Sequence, residues 1–202
     1  LSGLTDLTVL WLAQNDINDV SALSALTNLT ELTLNENNVS DISALKNLTG
    51  ILKLELYDNL IDDLSILSQF TQLSQLDLEY NVISDISPLS GLENLTELNL
   101  RRNFISELDS LRDLDNLTKL WLYQNDFSDI SALSNLTQLT YLDLDSNNIS
   151  DVSALSNMVQ LTDLYLYQNN VSDVSVLSKL VNLTSLDLSY NSLTDISTLS
   201  GF

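Results

Sequence analysis

The residues of this 202-residue chain best equipped for chemistry are its aromatics and its acids. Two tryptophans and seven tyrosines are present. All nine lie within or just after short alternating apolar runs: Trp11, Tyr57, Tyr80, Trp121, Tyr123, Tyr141, Tyr165, Tyr167 and Tyr190. Alternate residues of an extended segment share a face, so "W-L-Y" (121–123) and "Y-L-Y" (165–167) each place two rings side by side. Tyr141 falls between these triplets, and Asp143, Asp145, Asp163, Gln124 and Gln168 add polar groups around them. An aromatic centre with an acidic rim suits a protein or peptide that carries Lys or Arg, through cation–π contacts and ion pairs. Rings on adjacent strands also cover one another, so simple ladder packing competes with recognition as their purpose.

The other charges set limits. Twenty-eight acids against seven bases give a net charge of −21, which opposes binding to DNA, RNA or anionic membranes. Neutral or basic partners are expected. Four of the bases, Lys53, Arg101, Arg102 and Lys119, face the same way as the aromatics. They alternate with acids one repeat away: Glu31 with Lys53, Glu79 with Arg101, Glu97 with Lys119. Such exposed pairs contribute roughly 0–1 kcal/mol. They either relieve like-charge repulsion or form a small basic island that sets a ligand's register.

Catalysis finds little support. There is no cysteine and no histidine, which excludes disulfides, Cys- or His-ligated zinc or haem, and His-based nucleophilic pairs. Outward carboxylates recur two residues apart at Asp77/Glu79 and Asp143/Asp145, with a Cα separation of ~6.5–7 Å. That overlaps the spacing of glycosidase carboxylates. An open sheet offers no pocket to drive their pKa values apart, so no enzyme and no cofactor are expected. A ladder of acids, Asp19, Asp41, Asp63, Asp85, Glu107, Asp129, Asp151, Asp173 and Asp195, invites comparison with calcium sites. The glycine-rich spacing of calcium-binding repeats and the EF-hand loop are both missing. These acids are read as acceptors of backbone N–H groups before a turn, with no metal.

What positions these residues is a period of 22, repeated nine times from residue 7 without insertion or deletion. Counting each repeat from its first leucine or isoleucine, leucines recur at positions 4 and 6 and asparagine at position 9, from Asn15 to Asn191. Positions 3 to 7 alternate and predict a short strand with its leucines inward. Apolar residues at positions 11, 14, 17 and 20 are three apart, which suits 3₁₀ turns on the return path. Serine at position 15, from Ser21 to Ser197, is placed to cap that turn. The position-9 amide is expected to satisfy backbone groups of its own and the next repeat. Phe70, Phe127 and Phe202 replace core aliphatics, and Phe104 alone stands at an exposed site. Nine N-x-[S/T] sequons follow from the repeat consensus and weigh towards a bacterial or cytosolic origin.

The pattern L-x-x-L-x-L-x-x-N-x-[I/V/L/F] resembles the leucine-rich repeat. The segments "LTNLTELTLNENNVSDISALKNLT" (26–49) and "SDISPLSGLENLTELNL" (84–100) are similar to the 22-residue repeats of bacterial internalins. The same repeat length also occurs in a eukaryotic regulatory subunit of a protein phosphatase. The resemblance covers the whole chain and implies an α/β-type repeat solenoid. In that horseshoe, short parallel strands form the concave face and mostly 3₁₀ turns the convex one. It further implies a secreted or surface protein that grips another protein on its concave face, with the cytoplasm as the alternative compartment.

Residues 1–202 are read as a single solenoid, with a partial repeat at 1–6. It opens within a repeat at Leu1 and stops at Phe202, two residues short of completing one, as a trimmed fragment of a capped protein would. A monomer is expected, with edge-to-edge association the risk at uncapped ends. No apolar run approaches the ~20 residues of a membrane span, so insertion is not expected. Three functions compete: a protein-binding module, a carbohydrate-binding module, and a purely structural segment of a longer array.

Overall fold

The computed structural model describes residues 3–200. Phe202, expected in the core, lies outside them. Nine strands form one parallel sheet in sequence order. They are β1 (Val9–Trp11), β2 (Glu31–Thr33), β3 (Lys53–Glu55), β4 (Gln75–Asp77), β5 (Glu97–Asn99), β6 (Lys119–Trp121), β7 (Tyr141–Asp143), β8 (Asp163–Tyr165) and β9 (Ser185–Asp187). Every residue pairs with the one 22 positions later, as Leu120 does with Leu142. The regular strands are shorter than the alternation suggests, covering positions 3–5 only. The ladder nevertheless continues beyond them, since the Leu12 amide donates to the Thr33 carbonyl at 2.8 Å and the Gln14 amide to the Asn35 carbonyl at 2.9 Å.

The chain bends at position 8 because that residue is left-handed in all nine repeats, with φ between 52° and 58°. None of the nine is glycine, although this region costs other residues on the order of 1–2 kcal/mol. Two sets of bonds hold the bend. The position-8 amide donates to the next repeat, as from Tyr80 to the Arg101 carbonyl at 2.9 Å. The position-9 asparagine then ties it from within. Asn103 donates to the Leu78, Leu100 and Arg101 carbonyls at 3.0, 3.2 and 3.1 Å, and its Oδ1 accepts the Ile83 amide at 3.1 Å. The asparagine thus satisfies its own repeat and the preceding one. The expected reach to the next repeat is wrong, because the loop it buttresses packs back against the turn already laid down.

Return segments are 3₁₀ turns throughout, from Ser21–Leu23 to Ser197–Leu199. Their spacing of three matches the apolar pattern, and Leu45, Leu67, Leu133 and Leu155 are fully buried there. Serine does not cap them, contrary to its expected role. The aspartate two residues earlier does, accepting the serine's backbone N–H at 2.7–2.8 Å in eight repeats. These bonds, with those from the same serines' hydroxyls (the larger cause at Asp41), pull the Asp19, Asp41, Asp85, Asp129, Asp173 and Asp195 carboxyls below their usual range. No group of three or more potential metal ligands occurs among the described residues. No helix of the described residues is long and apolar enough to cross a membrane.

Candidate functional site

The core leucines at positions 4 and 6 point inward, so positions 3, 5 and 7 stand on the concave face. Across β6, β7 and β8 this face carries a ring ladder. Trp121 and Tyr141 lie 5.2 Å apart and Tyr141 and Tyr165 5.5 Å apart, both tilted. The rings therefore pair diagonally between strands, and no ring contact runs along a strand from Trp121 to Tyr123 or from Tyr165 to Tyr167 among the described residues. Diagonal neighbours on adjacent strands are ~7–8 Å apart, a gap that long aromatic side chains span by leaning across the sheet towards one another. Each ring of the ladder is half-buried by its neighbours. Ser185 donates to the Tyr165 hydroxyl at 3.1 Å, steadying the far end.

Beneath the ladder sits a charge pair. Asp143 is only 4% exposed and accepts from the Arg101 Nε and Nη2 atoms at 3.0 and 2.6 Å. Arg101 comes from two repeats away, and its guanidinium lies 6.0 Å from the Trp121 ring centroid. Burial opposes the Arg101 charge, and the Asp143 hydrogen bond and charge outweigh it, raising the guanidinium pKa. The expected Glu79–Arg101 pair is not formed, since Glu79 accepts from Asn99 at 3.0 Å instead. Asp143 offers Arg101 a more fully desolvated partner with two contacts, which the half-buried Glu79 does not. The other column pairs form as expected, Lys53–Glu31 at 3.8 Å and Lys119–Glu97 at 3.0 Å, and Lys53 also meets Glu55 at 2.8 Å.

The basic island is thus divided. Lys53, Lys119 and Arg101 are neutralised by carboxylates on the concave face. Arg102, at the left-handed position, leaves that face and lies between Tyr80 and Tyr123, 5.8 and 5.7 Å from their ring centroids. Tyr167 and Tyr190 form an edge-on pair at 5.0 Å on the same rim. Trp11 and Tyr57 stand apart from these clusters. Trp11 is 69% exposed and donates to Glu31 at 2.8 Å. The Tyr57 hydroxyl donates to Glu36, which pushes its pKa up to about 12.

The carboxylate pairs are less uniform than an open sheet implies. Burial first, then the Asp143 charge, pushes Asp145 up to about 6, although it accepts the Tyr167 amide at 2.6 Å. Burial also raises Asp77. The flanking rings and long side chains create enough local cover to do what the bare sheet does not. Asp163 holds the Thr162 hydroxyl at 2.7 Å and borders the ladder.

Two depressions adjoin these residues. One of about 330 Å³ opens on the concave face between Lys53, Gln75, Asp77, Glu97, Asn99 and Trp121. Gln75 and Asn99 were not singled out by sequence. Asn99 stands in its column directly before Trp121, which is a signal, whereas Gln75 is followed by Glu97 and Lys119 and has none. A second of about 540 Å³ lies on the rim and is lined by amides, among them Gln124, Asn148, Gln168 and Asn170.

Strand order, turn type and asparagine ladder define a leucine-rich repeat solenoid. The family model described as leucine-rich repeats (two copies) matches residues 5–47, 71–113, 93–131, 115–157 and 159–201. An internalin (InlF) of Listeria monocytogenes is 34% identical over 99% of this chain and 73% of its own, with a TM-score of 0.85. Internalin C2 of the same organism is 35% identical over 96% and 84%, with a TM-score of 0.90. The chain belongs to the internalin-like leucine-rich repeat family. A plant peptide hormone receptor, RGFR1, solved in complex with RGF2, is 27% identical over 95% of this chain and 37% of its own, with a TM-score of 0.75. No curated protein matches the chain in sequence.

Proposed function

We propose that the chain is a non-catalytic protein-binding module, acting as a single solenoid and held on or outside a bacterial cell. Its concave face takes a neutral or basic protein or peptide segment. The observation that carries this reading is the Trp121–Tyr141–Tyr165 ladder beside a polar depression, stiffened from below by Arg101 and Asp143. Half-buried, immobilised rings offer apolar area at little further entropic cost. The bases of this face are matched by carboxylates and further acids remain, which favours a partner with Lys or Arg. Asp143 acts by holding Arg101, since it is too buried to touch a ligand. That a plant receptor of the same fold was solved with RGF2 supports binding of this general kind.

The test is affinity capture on the immobilised chain with a salt gradient for elution, followed by calorimetry with each recovered protein. A neutral or basic protein, released by salt and binding at nanomolar to micromolar Kd, is expected. The amide-lined depression favours carbohydrate as a second reading. Weak, salt-insensitive retention of a glycan in place of a protein would support that reading and count against the first.

A further inference from the structure

Outside the concave site, the ridge after each bend carries a second surface. The side chain at position 10 of the repeat is exposed in all nine repeats. In six repeats this residue is polar: Asp16, Asn38, Asp126, Asn148, Asn170 and Ser192. In the third, fourth and fifth repeats it is Leu60, Val82 and Phe104. These three are 54, 42 and 57% exposed. The repeat register puts them on consecutive rungs, about 4.8 Å apart, as one apolar strip. The backbone beneath is fixed, because their amides donate to the Val39, Ile61 and Ile83 carbonyls at 2.9, 3.1 and 2.8 Å. The scaffold does not need apolar side chains here, as the other six repeats show.

The strip lines a groove of about 570 Å³ whose other walls include Asp58, Tyr80, Arg102 and Gln124. Arg102 is held between two rings and has no carboxylate within ion-pair distance among the described residues. In a chain of charge −21 this is a rare place for an anion.

We propose that this groove is a second docking surface, separate from the concave face. Its occupant is a segment of a partner protein that presents an aliphatic or aromatic side chain next to a carboxylate. Contiguous exposed apolar residues mark interaction surfaces. A rigid ridge lowers the ordering cost of using them. The planar Arg102 guanidinium keeps donors free in a fork that matches a carboxylate. Asp58 closes the far end and the surrounding acids repel, so the anion of such a segment is directed to Arg102, which sets its register.

The test borrows residues from the chain's own repeats. The triple variant Leu60→Asn, Val82→Asn, Phe104→Asn copies Asn38, Asn148 and Asn170, and Arg102→Gln copies Gln124 and Gln168. Lys179→Gln removes the same charge from a return turn and serves as control. A phage-displayed library of random dodecapeptides is selected on the wild-type chain, and the enriched peptides are measured by fluorescence anisotropy. The expected peptides carry an apolar residue beside Asp or Glu. The triple variant and Arg102→Gln should each weaken them at least tenfold, with Lys179→Gln within twofold. Arg102→Gln stands alone as the test if the triple variant melts early. Recovery of no peptide, of peptides without an acid, or of peptides indifferent to these variants overturns the proposal. So does a wild-type dimer in sedimentation that the triple variant abolishes, since the strip would then belong to a second copy.

Discussion

Replacing Asn103 by Ala should be among the costliest single changes outside the leucine core. Its Nδ2 hydrogens are shared by the Leu78, Leu100 and Arg101 carbonyls and its Oδ1 accepts the Ile83 amide, all in a residue only 6% exposed. Alanine leaves one buried N–H and three carbonyls without their side-chain partner, of which the Arg101 carbonyl keeps the Tyr80 amide. At roughly 1–3 kcal/mol per orphaned group, partly relieved by relaxation, the loss is about 3–5 kcal/mol. Against a typical stability of 5–15 kcal/mol that is a third or more of the whole. Asn15 provides an internal control. It is exposed and donates only to Leu12 and Ala13 of its own repeat, both at 3.0 Å. Asn15→Ala should therefore cost under about 1 kcal/mol, because water replaces what is lost. Equilibrium urea unfolding followed by circular dichroism measures both. If Asn103→Ala unfolds within about 1 kcal/mol of the parent, or Asn15→Ala is equally damaging, the ladder does not carry the inter-repeat linkage assigned to it.

Arg101→Met should destabilise by about 3–5 kcal/mol, since it strands a buried Asp143, whereas Lys119→Met, from an exposed pair, should stay within about 1 kcal/mol; urea titration of the two variants checks the contrast. Asp145 titrates near 6 when folded against 3.8 as its ordinary value, so the folded state holds a proton the unfolded state lacks between those values, and stability should rise as pH falls from 7 towards 4.5. Asp145→Asn keeps an acceptor for the Tyr167 amide and should flatten that rise, raising the midpoint at pH 7.5 but barely at pH 4.5; an unchanged slope contradicts the burial assigned to this carboxyl. The depressed capping acids act below this window, because their stabilisation is lost only as pH falls below about 4. Those same acids are engaged by backbone amides, so millimolar calcium should show no saturable heat in calorimetry and should leave the melting point unmoved, and a rise of several degrees would reassign the ladder.

Much of the scaffold was legible because burial dictates it. Inward leucines at positions 4 and 6 and apolar residues every third position thereafter leave only a strand and a 3₁₀ return. The type of residue that caps and buttresses was also readable, but not always the direction of its bonds. Asn103 reaches back where a forward reach was expected, and Asp129 accepts at the turn as its acid ladder predicts while Ser131 does not cap it. A side-chain acceptor can serve either neighbour, and only packing chooses. The bend at position 8 left no trace, because Tyr80, Arg102 and Gln124 stand where a left-handed residue usually announces itself as glycine or asparagine. That bend decides the site, since it sends Arg102 out to the rim while Arg101 stays on the concave face. Ring pairing across strands, and the selection of Asp143 over Glu79 by Arg101, depend on side-chain reach over two repeats, which column spacing does not encode.

The concave ladder is tested most directly by affinity, using the protein recovered by capture on the immobilised chain. Trp121→Ala, Tyr165→Ala and Asp151→Ala are compared side by side by calorimetry. Loss of a buried interface aromatic commonly costs about 2 kcal/mol, or about thirtyfold in Kd, while removing a ring from the ladder costs the fold only about 0.5–1.5 kcal/mol beyond its buried area. The two aromatic variants should stay folded and bind at least tenfold more weakly. Asp151→Ala, in the capping ladder on the return side, should bind as the parent does. Parent-like affinity in both Trp121→Ala and Tyr165→Ala would contradict the account, and the rings would then serve only to cover one another.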